Sequence, residues 1–204
     1  TEYLCAADLH IFQLGKVGSN AIARQLEGRY PGKVLHLHWL TDLALAYPRS
    51  PLSYPEVLHW RKPGRLRVIS AVREVVSRVL AGYLEFLDSI EGCSPEEMTA
   101  EKVLENINTS FWSDAATILR WFDHAYFCGL DVYATPFSHE AGHVVIEHPQ
   151  LSLFLYRQEN LQGLDGALGQ FLGLDEFRLG RDNTGAQKKY AAAYAALKQH
   201  FVVP

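Results

Sequence analysis

Apolar residues fall along this chain in short continuous blocks, separated by stretches where they recur every three or four positions. Residues 9–14, LHIFQL, form an apolar run that stops at Gly15, as a strand buried on both faces does. Residues 19–29, SNAIARQLEGR, follow with Ile22 and Leu26 at helical spacing and Ser19 or Asn20 as cap. Residues 33–38, KVLHLH, predict a second strand, and residues 66–72, LRVISAV, a third. From Glu74 to about Leu87, the positions Val76, Leu80, Tyr83, Leu84 and Leu87 predict a long helix. Residues 96–127 predict two helices, the second carrying Phe111, Ala115, Ile118, Leu119 and Phe122 on one face. DVYA at 131–134 and VVIE at 144–147 read as short strands, and LSLFLYR at 151–157 is the clearest fourth strand. Helices are predicted over 159–172 and 185–201. Residues 41–64 hold Pro48, Pro51, Pro55 and Pro63, so that stretch is broken, with room for one short helix at 56–60.

Strand and helix in alternation predict an α/β fold, a mostly parallel central sheet with helices on both faces. In such sheets ligands bind at the carboxyl ends of the strands. Lys16, His38, Arg73 and Glu159 all fall at or just past predicted strand ends. Glu159 is expected to orient its strand–helix turn.

Length and charge narrow the partners. A chain of 204 residues suits one domain with a substantial core. Its formal net charge of -4 gives no general pull toward nucleic acid or an anionic membrane, so neither is an expected partner. Any anion site must be local. Cys5, Cys93 and Cys128 share no C-x-x-C spacing, which argues against a disulfide framework or structural zinc and for a reducing, cytoplasmic setting. No run approaches the length of a membrane span, and no signal peptide is visible. Asn108-Thr109-Ser110 matches a glycosylation sequon and is read as chance.

Two segments carry chemistry. In residues 15–20, GKVGSN, a Gly-rich turn from strand into helix points backbone N–H groups at one spot. Lys16 adds a full charge there, and Ser19 and Asn20 add donors. The loop is not a Walker A sequence, because Val17 stands where a Ser or Thr must follow the Lys. The second segment, REVVSRVLAGY at 73–83, ends the third strand in Arg73 and sets Arg78 just over one turn into the next helix.

Together these segments resemble sulfotransferases that use 3′-phosphoadenosine 5′-phosphosulfate. Lys16, Gly18, Ser19 and Asn20 match a K-x-G-[ST]-[ST] loop for the 5′-phosphosulfate, with Asn20 in place of the second hydroxyl residue. Arg73, Glu74, Arg78 and Tyr83 match R-[DE]-P-x-x-R-x-x-S-x-[YF], which grips the 3′-phosphate; Val75 replaces the Pro and Ala81 the Ser. Residues 151–161, LSLFLYRQENL, are similar to the family's apolar strand ending in [RK]-x-E-x-L. Asn183, Lys188, Lys189, Tyr190 and Tyr194, with WFDHAYFCGLDVYATPF at 121–137, are similar to bacterial members described as capsular polysaccharide synthesis proteins.

The resemblance implies a single sulfotransferase-like domain over 1–204 with a P-loop-like fold. It also implies a role in polysaccharide biosynthesis and helical insertions on the acceptor side at about 41–64 and 87–127. The co-substrate would be 3′-phosphoadenosine 5′-phosphosulfate, held by Lys16, Val17, Gly18, Ser19, Asn20, Arg73, Arg78, Lys188 and Lys189. The product nucleotide would be 3′-phosphoadenosine 5′-phosphate, and the acceptor a carbohydrate hydroxyl. Sulfuryl transfer is an in-line displacement that needs no metal, governed by positioning and charge stabilisation. Lys16 would stabilise the leaving phosphate oxygen. A base should take the acceptor's proton, and His fits neutral pH. His36 and His38 lie two apart on one strand, hence on one face; His38 is the first candidate and His36 the second. Trp39, Trp60 and Trp112 could stack on sugar rings but are read first as packing residues.

Three other readings stay open. His139-Glu140-Ala141-Gly142-His143 matches the H-E-x-x-H zinc signature, which needs both His on one helix face. Pro136, Gly142 and the β-branched run from Val144 instead predict a turn entering a strand. A P-loop-type kinase shares the loop and sheet but needs the magnesium-binding Ser or Thr and a Walker-B Asp, and strand three ends in Arg73. A nucleotide-binding module without turnover is the non-enzymatic alternative.

Overall fold

The computed structural model describes residues 6–38, 65–92, 100–123, 127, 130–180 and 190–203. The fold is α/β, with a five-stranded, mostly parallel central sheet flanked by helices. The elements are β1 (Leu9–Phe12), α1 (Ser19–Leu26), β2 (Val34–Leu37), β3 (Leu66–Val72), α2 (Val75–Glu91), α3 (Ala100–Leu119), β4 (His143–Glu147), β5 (Leu151–Arg157), α4 (Asp165–Leu172) and α5 (Ala191–His200). The described residues divide into two compact units, one of Thr1–Val72 with Phe122–Arg181, the other of Arg73–Trp121 with Asp182–Pro204.

The first unit holds the sheet, in the order β2-β1-β3-β5-β4. β1 pairs in parallel with β2 and β3, and β3 in parallel with β5. β4 alone runs antiparallel, joined to β5 by a tight turn in which His148 N donates to Leu151 O. Period two sorts the strand residues. Leu9, Ile11, Ile69, Ala71, Phe154 and Tyr156 face one side and join Ile22 and Leu26 of α1 and Leu168 and Leu172 of α4 in one core. On the opposite face Phe12 meets Phe127 at 5.8 Å between ring centroids. The strands read as unbroken apolar runs because both faces are covered. Connections leave β1 toward β2 on one side, while β3 neighbours β5 on the other. The crevice at the carboxyl ends of β1 and β3 is therefore the sheet's switch point, and the loop of Lys16 opens there.

The second unit is helical. Val79, Leu80, Tyr83, Leu84 and Leu87 of α2 pack with Val103, Ile107, Phe111 and Ala115 of α3 and Leu197 of α5. The i, i+4 spacing of the α3 residues is the stripe that buries it. Glu74 caps α2, its carboxylate accepting from Val76 N and Ser77 N at 2.7 Å each, which is worth about 1 kcal/mol. Trp112 is 60% exposed and edge-on to Phe111, not a core residue.

Three expectations change. Among the described residues of 96–127 there is one α-helix, α3, followed by a 3-10 turn at Trp121–Asp123. DVYA at 131–134 is a turn, held by Ala134 N donating to Asp131 Oδ1 and Thr135 Oγ1 donating to Asp131 O, because local Asp chemistry outweighs β propensity. The 159–172 helix divides into a 3-10 segment, Gln158–Gly163, and α4. The expected final helix is present over Ala191–His200, and residues 185–189 lie outside the described residues. The predicted helix at 56–60, Trp39, Trp60 and the three cysteines lie outside the described residues. Among the described residues no helix is long and apolar enough to cross a membrane.

Candidate functional site

The loop between β1 and α1 is built on two left-handed residues. Lys16 has φ 70°, and Gly18 has φ 85° and ψ 11°. A non-Gly residue with positive φ is uncommon and costs about 1–2 kcal/mol, so Lys16 is held against its own preference. Gly18 is the N-cap of α1, with no side chain capping the helix and no acidic residue in its first turn. The positive end of α1 is thus left to whatever the loop faces.

The floor of this loop comes from β5 and the turn after it. A Cβ on Gly18 would lie 2.5 Å from Leu161 Cδ2, so any other residue must displace that side chain. The Arg-x-Glu-x-Leu turn therefore supplies the surface under the loop, and Glu159 lies 3.8 Å from Arg157 Nε within it. Beneath Val17, the fully buried Tyr156 donates its hydroxyl to Val17 O at 2.8 Å and lies 3.2 Å from Gln13 Oε1. Burial raises the Tyr156 pKa, with the Gln13 contact acting in the opposite direction, so the hydroxyl stays protonated. Val17's side chain is buried and its carbonyl is engaged. Ser19 is buried and Asn20 exposed.

His36 and His38 stand beside the loop. His36 is paired with Ile11 in the β1–β2 ladder, and its ring lies edge-on to His38 with centroids 4.8 Å apart. Both imidazoles share one face. His38 Nδ1 donates to the carbonyl oxygen of Gln13 at 3.1 Å. A carbonyl can only accept, so Nδ1 carries a proton, and the tautomer this bond selects in a neutral ring has its lone pair on Nε2. His36 differs: burial, and then the His38 ring, hold its pKa down to about 4. Its Nε2 is buried with no hydrogen-bond partner among the described residues. It is a neutral neighbour at physiological pH. A cavity of about 540 Å³ runs along α1, lined by Asn20, Arg24, Glu27, Tyr30 and His36 among others.

The arginines belong to the helical unit. Arg73 Nη2 donates to Tyr194 Oη at 3.1 Å, and Tyr194 Oη lies 3.4 Å from Ser77 O. Burial lowers the Arg78 pKa, Asp114 partly offsets this, and the charge of Arg73 lowers it further. Arg78 Nε is buried with no hydrogen-bond partner among the described residues. Arg78 thus sits between a like charge and the Asp114 carboxylate, and one of its buried donors is unsatisfied among the described residues. Gly82 leaves room here, since a Cβ on it would lie 3.3 Å from Arg78 Nη1. Ala81, in the place of the resembling family's Ser, is buried and offers no hydroxyl. Tyr190 anchors the tail by donating to Glu85 Oε2 at 2.6 Å. Asn183, Lys188 and Lys189 lie outside the described residues.

The H-E-x-x-H stretch does not form the helix its zinc chemistry needs. Residues 139–141 are a turn, Gly142 has φ 69°, and His143 opens β4. Arg157 Nη1 donates to His139 Nδ1 at 3.2 Å, and His143 Nδ1 donates to Ala141 O at 3.0 Å. The His143 ring lies flat on Phe154.

Gln13 and Tyr156 are the residues that sequence reasoning missed. Each is a polar group within an otherwise apolar strand run, which was the available signal. Against models of protein families, curated proteins and solved structures, the chain shows no match.

Proposed function

We propose that this protein is a sulfotransferase of P-loop-like fold, transferring a sulfuryl group from 3′-phosphoadenosine 5′-phosphosulfate to a carbohydrate hydroxyl. The observation that carries the reading is the bond from His38 Nδ1 to Gln13 O, which sets an imidazole with its lone pair on Nε2 at the root of the Lys16 loop. In this reading His38 Nε2 takes the acceptor's proton as the new S–O bond forms. The bond from sulfur to the bridging phosphate oxygen breaks in line. Lys16 and the loop's N–H groups stabilise charge on the departing phosphate. Burial keeps His36 uncharged, so it does not compete for the proton.

Val17 is what separates this reading from a kinase. The position after Lys16 carries a buried apolar side chain, so the loop lacks the hydroxyl that holds magnesium in P-loop kinases. The resemblance assigns the nucleotide's 3′-phosphate to Arg73 and Arg78, and the buried, unsatisfied Nε of Arg78 supports that assignment. Lys188 and Lys189 are assigned by the resemblance alone, and the cytoplasmic setting by the cysteine pattern.

Thermal shift tests the nucleotide, and radiolabelled transfer to a panel of oligosaccharides tests the reaction. The expected result is stabilisation by 3′-phosphoadenosine 5′-phosphate but not by ATP with magnesium, and transfer that falls about 10²–10⁴-fold in His38→Ala. Stabilisation by ATP alone sinks the sulfotransferase reading. Nucleotide binding with transfer unchanged in His38→Ala removes that residue from the mechanism.

A further inference from the structure

We infer that Tyr156 is a positioning residue that holds the anion loop and the His38 base in one frame through its hydroxyl. The strand LSLFLYR would be filled equally well by Phe at this place, and a buried hydroxyl is unfavourable unless it is bonded. The Tyr156 hydroxyl gives its one proton to Val17 O at 2.8 Å and also lies 3.2 Å from the Gln13 carboxamide oxygen. They lie at opposite ends of one loop segment, with Lys16 between them.

Gln13 is the second joint. Its side chain is fully buried, and its Nε2 has no hydrogen-bond partner among the described residues, so the Tyr156 hydroxyl is the contact that fixes the carboxamide. Its backbone N–H donates to Leu37 O at 3.2 Å, and its carbonyl accepts from His38 Nδ1 at 3.1 Å. One residue thus faces Tyr156 with its side chain and His38 with its main chain. Without that contact nothing fixes the Gln13 side chain, and the residue is free to shift. That shift moves the acceptor that fixes the His38 tautomer, and Val17 loosens at the same time. The effect on transfer rests on the function proposed above; the coupling between Tyr156 and His38 does not.

The test is Tyr156→Phe, with Tyr133→Phe as a control at a 60% exposed ring. Two-bond ¹⁵N–¹H spectra read the histidine tautomers, with the His38 signals assigned by their loss in His38→Gln. Wild type and Tyr133→Phe are expected to show His38 protonated on Nδ1. Tyr156→Phe is expected to shift toward a mixture of tautomers. In the same variant kcat for transfer should fall about ten- to a hundredfold, with the acceptor KM within about twofold of wild type. A folded Tyr156→Phe with an unchanged His38 spectrum overturns the inference. If Tyr156→Phe does not fold, Gln13→Met removes the same contact at similar volume and must show the same change, or the inference falls. A chain that transfers no sulfuryl group yet shows the His38 change loses the proposed function and keeps this coupling.

Discussion

Replacing Gly18 by Ala tests whether the loop's conformation is imposed by its floor. The new Cβ would sit 2.5 Å from Leu161 Cδ2, a buried core atom, where carbon contacts are comfortable at about 3.5–4.0 Å. Leu161 must therefore retreat by about 1 Å into a packed core, an overpacking cost of about 1–3 kcal/mol. The backbone at φ 85° adds about 1–2 kcal/mol for any residue with a Cβ. The stiffer unfolded chain returns about 0.4–1 kcal/mol. The net expectation is a loss of about 1–5 kcal/mol, or roughly 2–20 °C in Tm for a chain of this size. Gly28 supplies the control, because it has φ 69° with nothing within 4 Å of a Cβ. Gly28→Ala pays only the backbone term, about 1 kcal/mol net. Thermal melts by circular dichroism, run on both variants, separate the clash from the strain. A Gly18→Ala protein that melts within about 2 °C of Gly28→Ala would refute the claim that Leu161 bears on the loop.

Two further perturbations probe the loop and its neighbour. His36 has a folded pKa of about 4 against an ordinary 6.5, so the unfolded chain binds the extra proton between those values. Its contribution is intact above pH 6.5 and is lost as pH falls toward 4. The full difference is at most about 3.4 kcal/mol, and partial exposure of the ring screens it to about 2. Urea unfolding at pH 7 and pH 4 should therefore show His36→Gln losing about 2 kcal/mol less than wild type; equal losses would contradict the assignment. Lys16→Gly relieves the left-handed backbone while raising unfolded-state entropy, so stability should stay within about 1 kcal/mol of wild type. Titration calorimetry with 3′-phosphoadenosine 5′-phosphate should nonetheless show affinity down at least tenfold; unchanged affinity would exclude Lys16 from the anion site.

The strands were legible because burial on both faces leaves an apolar run whatever the partners are. β1, β3 and β5 were read almost to the residue for that reason. The DVYA segment misled because Val and Tyr favour strands, whereas Asp131 bonds its own downstream backbone and closes a turn. Glu74 was legible as part of a motif but not as a helix cap, since acidic residues at that place fit either role. The two-residue spacing of His36 and His38 gave their shared face. What spacing could not give was the frame beneath them: Tyr156 is 143 positions from Gln13 in sequence, and no local pattern encodes that pair. The tautomer of His38 depends on a carbonyl, and every residue carries one.

The path of the chain has a consequence for how this protein folds and how it can be cut. It leaves the sheet unit at Arg73, returns at Phe122 and leaves again at Asp182, so neither unit is a continuous piece. The β4–β5 hairpin closes a short loop and can form early. The central pairing of Ile69 with Phe154 must wait until the intervening helical segment has been traversed. During synthesis β3 therefore emerges long before its partner β5, with an unpaired edge of apolar residues. A fragment ending at Val72 would keep that edge exposed for good and should aggregate, so trimming is better directed at exposed loops than at unit boundaries.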